Sequence, residues 1–168
     1  LRGFIGRTNG GMVVHLGVII VAVAFASSSS YSHQQELQLT AGQTGRVGGH
    51  DITFVGTTTK VLPEKVFTQA QLRIDDGKTY GPGISVFAFS GQNIGTPSVR
   101  SRLTEDVMLT VLAFPEVDGD PVTVRVIVQP LVIWLWIGGG VMAFGTLLAA
   151  FPGRRRDPIS PTSAPVPT

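Results

Sequence analysis

The sequence predicts a membrane protein in which two transmembrane α-helices flank an all-β extracytoplasmic domain, a small antiparallel barrel or sandwich. Three observations predict it. Two long apolar blocks lack Asp, Glu, Lys and Arg; basic residues cluster outside both blocks; and a period-two pattern fills the stretch between them. The expected order is a cytoplasmic flank (1–9), a first span (10–28), the β-domain (29–129), a second span (130–151), and a basic stop with a disordered tail (152–168).

The first apolar block runs from Gly10 to Ala26 and the second from Pro130 to Phe151. A helix needs roughly 20 mostly apolar residues to cross the hydrocarbon core. The second block has that length. The first reaches it when Thr8-Asn9 or Ser27-Ser28 sit at the headgroups. Arg2 and Arg7 precede it, as in a signal peptide, but the run is long for such a segment, and Ala24-Phe25-Ala26 is a weak cleavage match. Arg154-Arg155-Arg156 follow the second block. Lys and Arg near span ends mark the cytoplasmic side, so both termini are expected inside and the middle outside.

Between the spans, Leu37 and Leu39, then Ile52 and Phe54, alternate with polar neighbours. Val66–Ile74, Ile84–Phe89, Val107–Phe114 and Val122–Val128 read as strands. Turns are expected at Asp75-Asp76-Gly77 and Asp118-Gly119-Asp120-Pro121. Six to eight short strands of this kind suit a small barrel or sandwich. The segment from Asp157 to Thr168 is rich in Pro, Ser and Thr.

Trp134 and Trp136 stand at the outer start of the second span, where amphipathic rings prefer the interface. Gly138-Gly139-Gly140 and Gly145 follow. Glycine is costly in a lone helix, whereas small residues let membrane helices approach closely. Gly139 and Ala143 form a small-xxx-small pair, so this helix is expected to pack against other helices.

The chain has no cysteine, which excludes disulfides, thiolate metal sites and a cysteine nucleophile. Residues 28–129 carry eight Lys/Arg and ten Asp/Glu, and the basic ends are explained by topology, so no nucleic-acid partner is expected. Gly42, Gly45, Gly48 and Gly49 match no phosphate-binding spacing, and no Ser-His-Asp set stands out.

His15 is the candidate site residue. It lies inside the first span, and ionisable residues there usually face a partner or a cavity. Gly11, Val18, Ala22 and Ala26 share its helix face and make a shallow surface against which a flat macrocycle could lie, with the imidazole on its iron. A hydrogen bond to a neighbouring helix, or contact with the headgroups, is the alternative. His33, just outside the membrane, and His50, after Gly48-Gly49, are read as solvated, because a lone loop histidine has no ligand set beside it.

Asn9-Gly10-Gly11, Val14-His15-Leu16-Gly17 and Ala26-Ser27-Ser28 resemble the last third of the cytochrome c-type biogenesis protein CcmF family. Thr96-Pro97, Val99-Arg100-Ser101, Glu105-Asp106-Val107, the run from Pro130 to Gly139 and Arg154-Arg155-Arg156 agree with it, from about residue 7 to 156. The resemblance implies a haem lyase of cytochrome c maturation in the bacterial cytoplasmic (inner) membrane. Such a lyase takes haem from a periplasmic haem chaperone and helps attach it to apocytochrome c. It also implies a b-type haem held by two helix histidines, one of which maps onto His15 as axial ligand of the haem iron. The family's Trp-rich haem-presenting loop, its outer-loop histidines and its second membrane histidine have no counterpart here, and Gln129 stands where Asn is usual. The chain is therefore expected to be a C-terminal portion or a split subunit that works with the remaining membrane segments of the lyase and has no lyase activity alone. The competing reading is a membrane-anchored β-domain that serves as an assembly or interaction module without haem chemistry.

Overall fold

The computed structural model describes residues 7–75, 77–115, 117 and 119–150. The flank before residue 7 and the expected basic stop and tail after residue 150 lie outside the described residues. So do single residues of the two expected turns, Asp76 and Asp118.

Two long apolar helices enclose the β-region in sequence. Helix α1 spans Arg7–Ser30 and α2 spans Val132–Ala150. Neither has an apolar stripe opposed by a polar face. Met12, Leu16, Ile19, Phe25, Phe144 and Leu147 are all exposed, so the helices are apolar around their circumference. A helix of that kind needs an apolar medium on every side, and a bilayer supplies it.

The two helices pack antiparallel along a seam of small residues. Gly10 faces Gly145 and Ala149, and Gly17 faces Gly138 and Met142. A Cβ on Gly10 would stand 2.5 Å from the Ala149 amide nitrogen, and one on Gly145 would stand 2.7 Å from that of Val14. Ala24 is the next buried position after the same interval of seven residues. This backbone-to-backbone approach is what small residues permit in membranes. The pair expected from sequence, Gly139 and Ala143, does not face α1. Both are exposed, and a Cβ on Gly139 would touch nothing.

All strand pairs are antiparallel, in two sheets. The four-stranded sheet has the order β1 (His33–Leu39), β10 (Val122–Pro130), β9 (Glu105–Ala113), β8 (Ser98–Ser101). The six-stranded sheet has the order β2 (Thr44–Val47), β3 (His50–Val61), β4 (Lys65–Ile74), β6 (Gly83–Phe87), β7 (Asn93–Thr96), with the two-residue β5 (Thr79–Tyr80) also paired to β4. Alternate residues of the two sheets meet to form one core. The four-stranded sheet contributes Leu39, Leu109 and the β10 series Val122, Val124, Val126 and Val128; the six-stranded sheet contributes Ile52, Phe54, Leu72 and Ile74. Burying a side chain of this size is worth about 1.5–3 kcal/mol.

The strand set is larger than the sequence pattern suggested. β2, β5, β7 and β8 are short and mostly polar or Gly-containing, so they carry little alternation. The strand expected over Ile84–Phe89 stops at Phe87, because the Gly91 amide donates to the Phe87 carbonyl and Gly91 takes φ +63°. β10 runs through Pro130, and α2 begins after Leu131, which has φ +57°. The Leu131 amide donates to Thr104 O at 3.0 Å, and Trp134 Nε1–H donates to Leu103 O at 2.7 Å. The turn between β8 and β9 thus clamps the head of α2. β1 and β10 pair from His33↔Val128 to Leu39↔Val122, so the strand pair continues directly into the helix pair.

Candidate functional site

His15 sits on the exposed side of α1, away from the seam with α2. Its Nδ1 lies 2.8 Å from the carbonyl oxygen of Gly11, one turn earlier. A carbonyl only accepts, so Nδ1 carries the hydrogen. In the neutral ring that leaves Nε2 as a bare acceptor, directed away from this bond. Gly11 leaves open space where a Cβ would stand, and Val18, Ala22 and Ala26 are exposed on the same face.

The residues present are compatible with a haem-iron ligand: Nε2 would be the nitrogen offered to iron, with the other ring nitrogen held by a backbone carbonyl, as is usual for metal-bound histidine. The flat Gly/Ala/Val face adds room for a macrocycle. Among the described residues the other histidines, His33 and His50, lie in the β-domain, so His15 is the one histidine of the described spans.

His33 is exposed on β1, as expected. His50 departs from the sequence reading. Its side chain is only 12% exposed, and it joins the two sheets at their helix-facing end. Nδ1 is 2.9 Å from Asp75 Oδ2, and Nε2 is 2.8 Å from Glu105 Oε1. Arg100, 7% exposed, donates from Nη1 to the same Asp75 oxygen at 2.8 Å. His50 opens β3 and Asp75 follows β4, while Arg100 and Glu105 belong to β8 and β9. Four residues distant in sequence therefore close one end of the core.

Asp75 adopts φ +47°, a left-handed conformation that Asp tolerates. This turns Oδ1 toward the Asp51 amide, which donates at 3.1 Å. Partial burial pushes its carboxyl up. The Arg100 guanidinium, the Asp51 amide and the His50 imidazole outweigh that and hold it down at about 2. The cluster is a structural tie: each His50 nitrogen is directed at a separate carboxylate. Among the described residues no three His, Asp or Glu side chains converge as metal ligands.

No sequence signal marked His50, since each partner lies 25 to 55 residues away. The motif Glu105-Asp106 and the turn residue Asp75 were visible only as local features. A further apolar groove, lined by Ile19, Ile20, Val23, Ala24, Leu131 and Trp134, lies between α1 and the head of α2, and holds no polar side chain other than the clamped indole.

No family model matches the chain. It is 30% identical over 159 residues to a cytochrome c-type biogenesis protein CcmF of Haemophilus influenzae, covering 90% of this chain and 24% of that relative. It is 29% identical to the corresponding protein of Pseudomonas aeruginosa over 160 residues, 89% of this chain and 23% of the relative. A solved structure described as the cytochrome c haem lyase CcmF superposes with a TM-score of 0.70 at 27% identity, covering 87% of this chain and 25% of that one. The chain thus spans about a quarter of the length of the relatives it matches.

Proposed function

The chain matches the C-terminal portion of the cytochrome c-type biogenesis protein CcmF family, and from that premise we propose that it forms part of a membrane haem lyase in cytochrome c maturation. In this reading His15 is one axial ligand of a b-type haem within the membrane. A haem bound there would supply an iron centre that imidazole nitrogen can ligate. The chain's own contribution is to orient the imidazole through the Nδ1–H bond to Gly11 O and to offer the shallow face of Gly11, Val18 and Ala22. The β-domain lies on the extracytoplasmic side of the cytoplasmic membrane, with both termini inside. There it works beside the periplasmic haem chaperone, apocytochrome c and the remaining membrane segments of the lyase.

The observation that carries the reading is the orientation of His15. A histidine that merely filled a helix contact would turn toward α2. This one faces away from it, with Nε2 unengaged among the described residues. A buried imidazole in hydrocarbon is costly without a partner, and iron satisfies it. The test is the absorbance spectrum of the purified complex. His15→Ala is expected to lose the b-haem band or shift it, with a parallel fall in cytochrome c attachment, while His33→Ala leaves both unchanged. A His15→Ala complex with full haem content and an unchanged spectrum would return His15 to a packing role and favour the assembly-module reading.

A further inference from the structure

His50 is held between two acceptors. Its Nδ1 stands 2.9 Å from Asp75 Oδ2, and its Nε2 stands 2.8 Å from Glu105 Oε1. A carboxylate oxygen accepts and does not donate, so a hydrogen bond on each side needs a hydrogen on each ring nitrogen. A neutral imidazole carries only one. With a neutral ring, one carboxylate would face a bare nitrogen lone pair at hydrogen-bond distance.

Arg100 does not remove that requirement. Its Nη2 is 3.1 Å from His50 Nδ1 and 3.3 Å from Nε2. A point in the ring plane that close to both nitrogens would strike the carbon between them, so the guanidinium lies over the ring face. The in-plane directions are left to the two carboxylates. With both ring nitrogens protonated, two cations, Arg100 and His50, balance two anions, Asp75 and Glu105. The cationic side chains are 7% and 12% exposed, and at such depth an unbalanced charge is costly. The surrounding elements do not disturb the balance. Arg46 on β2 pairs with Asp51 at 3.7 Å, where both side chains are exposed. Arg102 is exposed at the β8–β9 turn, Asp106 points to the opposite face of β9 from Glu105, and β10 presents the uncharged Val128.

We propose that His50 is a pH-sensitive clasp: as an imidazolium it ties the six-stranded sheet to the β8–β9 turn on which α2 is seated, and loss of its proton loosens that tie. The connection to the helix is short. Glu105 follows Thr104, whose carbonyl accepts from the Leu131 amide, and Leu103, whose carbonyl accepts from Trp134 Nε1–H. The sign follows from linkage. The folded state holds a proton that the unfolded chain gives up more readily, so the clasp is complete on the acid side of the imidazole range and is lost as pH rises through it. Asp75, held down at about 2, keeps its charge throughout that range.

Two measurements on the complete protein in detergent test the clasp. Nitrogen-15 NMR of histidine-labelled protein reads the ring, with the His50 signals assigned by their absence in His50→Gln. Both nitrogens are expected to carry hydrogen at about pH 6, and one to have lost it at about pH 9. Hydrogen–deuterium exchange, corrected for the intrinsic pH dependence of amides, reads the tie. Protection of residues 98–106, relative to the far half of β3 and β4, is expected to fall roughly tenfold over the same interval, as loss of one charge-assisted hydrogen bond requires. In His50→Gln it should be the same at both pH values. Glu105→Gln keeps an oxygen for Nε2–H but not the charge, and should at least halve the change, so the clasp remains open to refutation even where His50→Gln fails to fold. Three results would overturn it: a neutral His50 ring at about pH 6, which gives the shared proton to Glu105; equal protection at both pH values; or a pH dependence that survives in both variants. None of these groups touches His15, so failure of the clasp and failure of the haem reading are told apart.

Discussion

Replacing Asp75 with Asn probes the tie between the sheets in a way that pH can check. The substitution keeps an oxygen for the Asp51 amide but removes the charge that Arg100 and His50 face. A fall of the carboxyl from 3.8 to about 2 corresponds to about 2.4 kcal/mol at 1.36 kcal/mol per pH unit. Asp75 is 45% exposed, so solvent screening reduces this to about 1 kcal/mol. The sign follows from linkage. A carboxyl depressed in the folded state stabilises fully above its unfolded value, near pH 4, and loses that contribution as pH falls toward 2. Thermal unfolding of the β-signal in detergent is therefore expected to drop by about 4–8 °C for Asp75→Asn at pH 7 and to converge with the parent near pH 2. An equal penalty at both pH values would refute the electrostatic account and make the loss one of shape alone.

The helix seam predicts a sharp contrast between neighbours. Gly17→Leu or Gly145→Leu should separate α1 from α2, seen as loss of a cysteine cross-link engineered across the pair, while Gly139→Ala and Gly140→Ala leave it intact, since a Cβ there meets nothing. Trp134→Phe keeps an aromatic ring but removes the hydrogen bond to Leu103 O, and should cost about 1 kcal/mol, read as faster amide exchange at the turn between β8 and β9. On the proposed topology, cysteines at Ser29 and Ser163 should react from opposite sides of the membrane. Labelling of both by an impermeant reagent in intact cells would reverse it.

The parts of this fold that were legible in the sequence are those governed by a short period. The spans announce themselves because twenty apolar residues without charge have few other uses. β4 and β10 show the two-residue alternation of strands with one buried face, and Val122, Val124, Val126 and Val128 are buried as that alternation requires; β9 is a more continuous apolar run and lies inside its sheet, between β10 and β8. What escaped depends on contacts distant in sequence. β7 and β8 are four residues each and owe their existence to neighbours already in place. Gly138 and Gly145 were visible as glycines, but which face meets α1 is set by the crossing of two helices, and Gly139 lies one residue, or about 100°, off that face. His50 illustrates the same limit at a site: after two turn glycines it reads as a solvated loop residue, and only the closing of two sheets brings it Asp75, Arg100 and Glu105.

The spacing that joins the helices also turns the candidate ligand outward. Gly10, Gly17 and Ala24 recur every seven residues, and at about 100° per residue each step falls only about 20° short of two full turns. They stay on one narrow stripe, which α2 occupies with backbone against backbone. His15 is five residues beyond Gly10, about 140° around the helix, and so it faces away from α2. On the proposed reading, a haem held by His15 would lie on the side of α1 that α2 leaves free. Gly11, Ala22 and Ala26 stand open on that side, with no described residue packed against the space beside Gly11. The β1 and β10 pair continues into the two helices and the turn at Leu103 and Thr104 clamps α2, so the helix pair that carries His15 is tied directly to the four-stranded sheet.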